Sequence, residues 1–294
     1  MNFIKKKTWL LVLVATAISL IFPRAGLWAS PYPIYFLMAI MFFNFLEINL
    51  DRLKTDLKNF KKKLAILAIT HLVSPVIILL LKQYFSEEVF LGLIIVTVIS
   101  VGMATVFLSN LFGGISEKAL VITLISNLLA PVLVPFLVFI FAKTSIKIDF
   151  LDMGQTILKL VLIPAALARL VYMTKLKEPL KKSGTSISVI LLFFIILGIV
   201  SPVRESIMEN VSLSIVLLGI ISVLVVINFI LGYLLGTGRA RKITYAITAS
   251  YKNTTMASVV AYSLFGPLVA LPAIIYTVVI NLLLIPLQLL VVKK

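Results

Sequence analysis

Lys252, Asn253, Thr254 and Thr255 stand together in the stretch ITASYKNTTMASVV (residues 247–260), within an otherwise apolar region. An ammonium, an amide and two hydroxyls at this spacing could hold an anion, take the place of a cation, or hydrogen-bond backbone that has left a helix. Lys252 lies ten residues beyond Lys242. At 1.5 Å per helical residue that is about 15 Å, half of a roughly 30 Å hydrocarbon core. An ionised lysine at that depth costs at least about 2.5–3.5 kcal/mol and needs a cavity or a partner. The threonines alone would read as hydrogen bonding between helices. With the lysine and asparagine beside them, the stretch reads as a functional site.

Other polar residues sit inside apolar runs. His71, in AITHLVSPVIILLL, is eight residues past Lys63, with Thr70 before it and Ser74 and Pro75 after. A histidine there serves either as a proton carrier or as a satisfied packing residue. Pro75 is expected to kink its helix. Asn127, Asn228 and Asn281 read as interhelical hydrogen-bonding residues before they read as ligands. Glu47 and Arg169 fall near helix ends, and Lys159 is left without assignment. The sequence has no HExxH, GxSxG or P-loop and no paired aspartate motif, so neither an enzyme nor a nucleotide-driven pump is expected.

The elements that must position these residues are membrane helices. Apolar residues make up 61% of the 294, charged ones 13%, and the mean hydropathy is +1.17. Soluble domains are about half apolar and a quarter charged. The absence of cysteine excludes disulfides and thiolate sites, and one histidine argues against a histidine metal cluster. A net charge of +16 would suggest nucleic acid for a soluble protein. Here the basic residues crowd short connections, where they set topology and meet an anionic leaflet. No nucleic-acid partner and no cofactor is expected.

Ten candidate spans cover about 8–23, 31–48, 64–82, 89–113, 117–142, 150–173, 184–202, 211–236, 241–265 and 268–292. Lys5–Lys7 precede the first, and the first run after them is read as a retained short helix and not a cleaved signal peptide. The connections after even-numbered spans carry most of the lysine and arginine. Both termini are therefore expected in the cytoplasm. The connection LDRLKTDLKNFKKK is either an amphipathic surface helix or a plain topology signal. Ten spans divide into five and five, and an odd-numbered repeat inverts in the membrane. SVGMATVFLSNLFGG in the fourth span and SYKNTTMASVVAYSLFG in the ninth occupy corresponding positions in the two halves. Each has a polar cluster in mid-span and ends at glycine.

Three stretches carry a family likeness: LIFPRAGLWASPYPIYFLMAIMFFNFLEINLDRL; GMATVFLSNLFGGISEKALVITLISNLLAPVLVP; and GYLLG followed by YKNTTMASVVAYSLFGPLVALPAIIYTVVIN. In their order, spacing and span count, the chain resembles the bacterial branch of the bile acid–sodium symporter family over nearly its whole length. The resemblance implies an all-α integral membrane fold of ten transmembrane helices in two inverted five-helix repeats, residues 1–142 and 143–294. It implies a panel domain of spans 1, 2, 6 and 7. It implies a core domain of spans 3–5 and 8–10, in which broken helices four and nine cross. Family members move organic anions by alternating access, usually driven by sodium.

Carried over position by position, the family's ninth-helix glutamate falls on Thr248, its glutamine on Lys252, its asparagine on Asn253 and a serine on Thr254. In the fourth helix Gly102 is kept, Thr105 replaces a serine and Val106 replaces an asparagine. A third-helix glutamine falls on Thr70 beside His71; in the fifth, Thr123 is kept and Ala119 replaces a serine. The substrate and crossover candidates are therefore Lys252, Asn253, Thr254, Thr248, Gly102, Thr105 and Asn281. The ion-coupling candidates are Lys252, His71, Thr70, Thr123 and Asn127. Sodium needs hard oxygen donors and is repelled by a lysine, so the sodium site is expected to be degraded and no metal is assigned. Coupling to sodium, to protons or to neither stays open. The resulting expectation is an inner-membrane secondary transporter of a small organic anion, with Lys252 as a cation surrogate. The alternative is a sodium-independent uniporter or a non-transporting sensor or scaffold of the same fold.

Overall fold

The computed structural model describes residues 8–48, 60–142, 146–209 and 211–291. Among these residues every extended element is a helix. Helix α1 (Thr8–Ile21) leads through a turn at Arg24–Leu27 to α2 (Pro33–Leu46), with Pro33 at its first position, where no intrahelical N–H partner is lost. Helix α3 runs from Phe60–Ala68 through a π turn at Ile69–Val73 into Ser74–Leu79. Of the connection at residues 50–63, only 60–63 are described, as the start of α3; the rest lies outside the described residues. Helix α4 (Glu87–Val98) is capped by the Ser86 hydroxyl and is buried at every residue from Val89 to Val98.

After α4 the chain breaks and resumes as α5 (Ala104–Leu111), then α6 (Ser116–Ala142). The Asp149 carboxylate caps α7 (Phe150–Tyr172) by accepting from Leu151 N–H at 2.9 Å and Asp152 N–H at 3.0 Å. Helix α8 (Lys177–Glu209) extends past the expected 184–202 at both ends. Lysine and glutamate are good helix formers, and Pro179 falls in its first turn, so charge ends the apolar run without ending the helix. Helix α9 (Val211–Leu235) precedes α10 (Arg239–Ser250) and α11 (Thr254–Phe265), which flank the second break, and α12 (Pro267–Val291) follows.

By length and composition, five helices among the described residues can cross a membrane: the Lys61–Leu79 part of α3, α6, α7, residues Lys177–Glu205 of α8, and α9. The expected fourth and ninth spans are each two shorter helices, which is why neither half reaches membrane length alone. Helix α2 packs on α7 and α8, and α1 on α8. Helix α4 packs on α12 and α6, α11 on α12, and α9 on α10. Because α4 is enclosed on all sides, its sequence is apolar all round and not striped.

Candidate functional site

The two breaks meet and pair. Gly102 N–H donates to the Tyr251 carbonyl at 2.9 Å, Asn253 N–H donates to the Ser100 carbonyl at 2.8 Å, and Val101 and Lys252 form an antiparallel bridge. Backbone that leaves a helix inside a membrane must find protein partners, and here each break supplies the other's. Gly102 permits the approach, since a Cβ there would stand 2.7 Å from the Lys252 carbonyl oxygen.

Side chains of α6 satisfy what the pairing leaves over. Val101 N–H donates to Ser126 Oγ at 2.9 Å, and Asn127 Nδ2 donates to the carbonyls of Val101 at 3.0 Å and Thr123 at 2.8 Å. Ser100 Oγ donates to Asn127 Oδ1 at 3.0 Å. His71 sits behind this arrangement. Its Nδ1 is 2.7 Å from the Val98 carbonyl, which can only accept, so Nδ1 carries a proton. Its Nε2 lies 3.0 Å from Ser126 Oγ. Both ring nitrogens thus have protein partners.

The Lys252 side chain is buried, and its ammonium donates to two backbone carbonyls, that of Thr97 at 2.6 Å and that of Thr70. Both carbonyls are available for a physical reason. Thr97 lies in the last turn of α4, where carbonyls lose their intrahelical donors, and the N–H four residues on, at Val101, is turned to Ser126. Thr70 lies in the π turn, which pairs N–H groups five residues back; five residues after Thr70 is Pro75, which has no N–H. A cation is thereby held between a helix C-terminus and a π turn, where backbone dipoles present negative charge. The oxygens a sodium ion would require at this point are already engaged by the ammonium, so the residues present do not fit a metal there.

The remaining candidates divide. Thr105 Oγ1 is 2.8 Å from Thr123 Oγ1 and donates to the Gly102 carbonyl at 2.8 Å, so these two hydroxyls lie beside the break. The Thr248 hydroxyl is turned back onto the Thr244 and Tyr245 carbonyls of its own helix and joins no cluster. Asn253 caps α11, its Oδ1 accepting from Met256 N–H at 3.2 Å, while its buried Nδ2 has no partner among the described residues. Asn281 Nδ2 donates to the Thr277 carbonyl at 2.7 Å.

A cavity of about 600 Å³ opens against the paired breaks. Gly102, Lys252, Asn253, Thr254 and Asn281 line it; Thr70, His71, Thr105, Thr123, Asn127 and Thr248 do not. With its ammonium drawn into the protein, Lys252 closes the floor of the cavity. The starts of α5, at Met103 and Ala104, and of α11, at Thr254 and Thr255, lie in its wall. Helix N-termini present positive charge, so two such ends bias the cavity toward an anion. The opposite wall is α2 and α8, through Leu37, Met41, Asn44, Thr185, Ser188 and Leu192. Glu47, read from sequence as merely terminal, stands at the rim, where a smaller hollow of about 190 Å³ adjoins.

Sequence reasoning missed Ser126, which joins Val101 to His71, and Thr97, whose contribution is a carbonyl. It also missed Asn44, Asn110, Thr185 and Ser188 in the cavity wall. Asn44 and Asn110 carried a signal, as amides inside apolar runs. Thr97 carried none, because a backbone oxygen belongs to every residue type.

The model of the "Sodium Bile acid symporter family" matches residues 34–210, more than half of the chain. A protein of Bacillus subtilis (strain 168) named "Uncharacterized sodium-dependent transporter YocS" is 29% identical over 286 residues, covering 93% of this chain and 86% of that one. With a family match of that extent, two interrupted helices paired at their breaks and a cavity beside them, the protein belongs to the sodium bile acid symporter family and is a helical, multi-pass membrane transporter.

Proposed function

We propose that the protein is a secondary transporter of a small organic anion, working by alternating access without sodium at the Lys252 position. The observation that carries this reading is the Lys252 ammonium, held by the carbonyls of Thr97 and Thr70 directly under a cavity walled by two helix N-termini. The cargo's anionic group binds at the starts of α5 and α11, beside Asn253. Apolar side chains of α2 and α8 contact the rest of the cargo.

In this proposal the ten spans form inverted repeats over residues 1–142 and 143–294. The packing of α2 on α7 and α8, and of α1 on α8, supports a panel of those four helices, which meets the core where α7 packs on α6. The core holds α3 to α6 and α9 to α12 and moves against the panel. Both termini face the cytoplasm of an inner membrane, which places the Glu47 and Ser116 rim of the cavity on the cytoplasmic side. The fixed ammonium takes the place of a coupling cation at that point, and the bound anion is partly neutralised whether or not sodium is present.

The test is uptake of small organic acids into proteoliposomes, with sodium or with choline as the salt. Saturable uptake that is equal in the two salts is the expected result. Uptake that requires sodium would refute the cation-replacement reading. Saturable binding with no uptake of any acid would return the protein to a sensor role.

A further inference from the structure

We propose that the adjoining ends of α7 and α8 form a binding site for the phosphate headgroup of an anionic membrane phospholipid. The site centres on Tyr172, the last residue of α7. Lys177 Nζ lies 3.7 Å from the centre of its ring, and Arg169 Cζ and Lys181 Nζ each lie 5.4 Å from it. Three cations therefore gather around one aromatic ring. Each is attracted by the ring, and each is repelled by the other two.

Among the described residues, little offsets that repulsion. Glu178 is the one acidic residue between 169 and 182, a segment that also carries Lys175 and Lys182. Its carboxylate is 80% exposed and lies 3.9 Å from Lys177. An anion seated over the ring would be attracted by all three cations at once. A phosphate suits guanidinium and ammonium donors together.

The surroundings select a lipid over a free ion. Helix α7 is long and apolar enough to cross a membrane, so its end lies where headgroups lie. Leu170, Met173 and Leu176 are exposed beside Tyr172, giving an acyl chain apolar surface to follow from the same point. A basic cluster at a helix end above exposed apolar side chains is complementary to an anionic amphiphile. In the orientation proposed above this is the cytoplasmic leaflet. The site itself rests on helix-end geometry and is independent of cargo and coupling.

The experiment is thermal unfolding of the purified full chain in detergent, titrated separately with phosphatidylglycerol, phosphatidylcholine and inorganic phosphate. Phosphatidylglycerol is expected to raise the melting temperature saturably, and the other two are not. Lys177→Gln/Lys181→Gln is expected to need about thirty-fold more phosphatidylglycerol for the same rise, given the usual strength of lysines near an anionic surface. Lys61→Gln/Lys62→Gln, which removes equal charge at the start of α3, should respond like wild type. Equal weakening in both double variants, or an unchanged response in the first, would overturn the proposal. So would a rise with inorganic phosphate alone, or with phosphatidylcholine equally. If the first double variant does not fold, Lys177→Arg/Lys181→Arg must keep the wild-type response, and the wild-type response must fall as salt is raised. Persistence of that response in about 1 M salt, where the screening length is about 3 Å, would overturn the site equally.

Discussion

Replacing Lys252 by glutamine separates a built-in cation from a residue that merely fills space. The variant loses an ammonium that donates to the carbonyls of Thr97 and Thr70. A buried carbonyl left unpaired costs about 1–3 kcal/mol, so two cost about 2–6 kcal/mol. Against this, a charge at membrane mid-depth costs about 2.5–3.5 kcal/mol, which the variant no longer bears. The two terms overlap, so the change in bare stability is small or moderate and does not by itself discriminate. The sodium response does. Glutamine is one atom shorter than lysine and brings a carbonyl oxygen where the ammonium was, beside two carbonyls now without a donor. A sodium ion can enter there, and at a hundred times its dissociation constant it would add about 2.7 kcal/mol to stability. The assay is thermal unfolding of wild type and Lys252→Gln in sodium chloride against choline chloride at constant ionic strength. Wild type should be indifferent to which salt is present, while the variant should be raised by sodium in a saturable way. A saturable sodium effect on wild type, or none on a folded variant, would refute the claim that the ammonium occupies a cation's place.

Other expectations follow from the same geometry. Gly102→Ala puts a Cβ 2.7 Å from the Lys252 carbonyl oxygen, so the paired breaks must separate. A cost of about 1–3 kcal/mol and at least ten-fold slower uptake are expected, read by unfolding and by proteoliposome flux. Asn253→Asp keeps the cap on α11 but exchanges a buried amide for a carboxylate, adding negative charge beside the cavity. The melting temperature should barely move while KM for the anion rises ten-fold or more; an unchanged KM would remove Asn253 from the cargo site. Because the chain has no cysteine, single substitutions report topology directly. An impermeant maleimide applied to intact cells should label Ser212→Cys, in the first turn of α9, and leave Thr174→Cys, between α7 and α8, unlabelled; the reverse pattern would invert the proposed orientation.

Much of this molecule was legible in the sequence because a membrane constrains composition so strongly. Runs of apolar residues bounded by lysine and arginine located the helices, since hydrocarbon tolerates no unpaired backbone and charge resists crossing it. Lys252 stood out for the same reason: a charge that deep requires a partner. The polar clusters around Gly102 and Asn253 marked where helices would break. Tertiary structure alone decided how those breaks are joined. Which backbone groups pair across 150 residues of chain is set by how the two breaks, at Ser100–Gly102 and Tyr251–Asn253, are brought together, and no residue type announces it. The acceptors of the ammonium are main-chain oxygens, freed at Thr97 by the end of a helix and at Thr70 by a π turn before a proline. Sequence shows the donor, because an ammonium belongs to a side chain. The acceptors become visible only when the fold withdraws their ordinary partners.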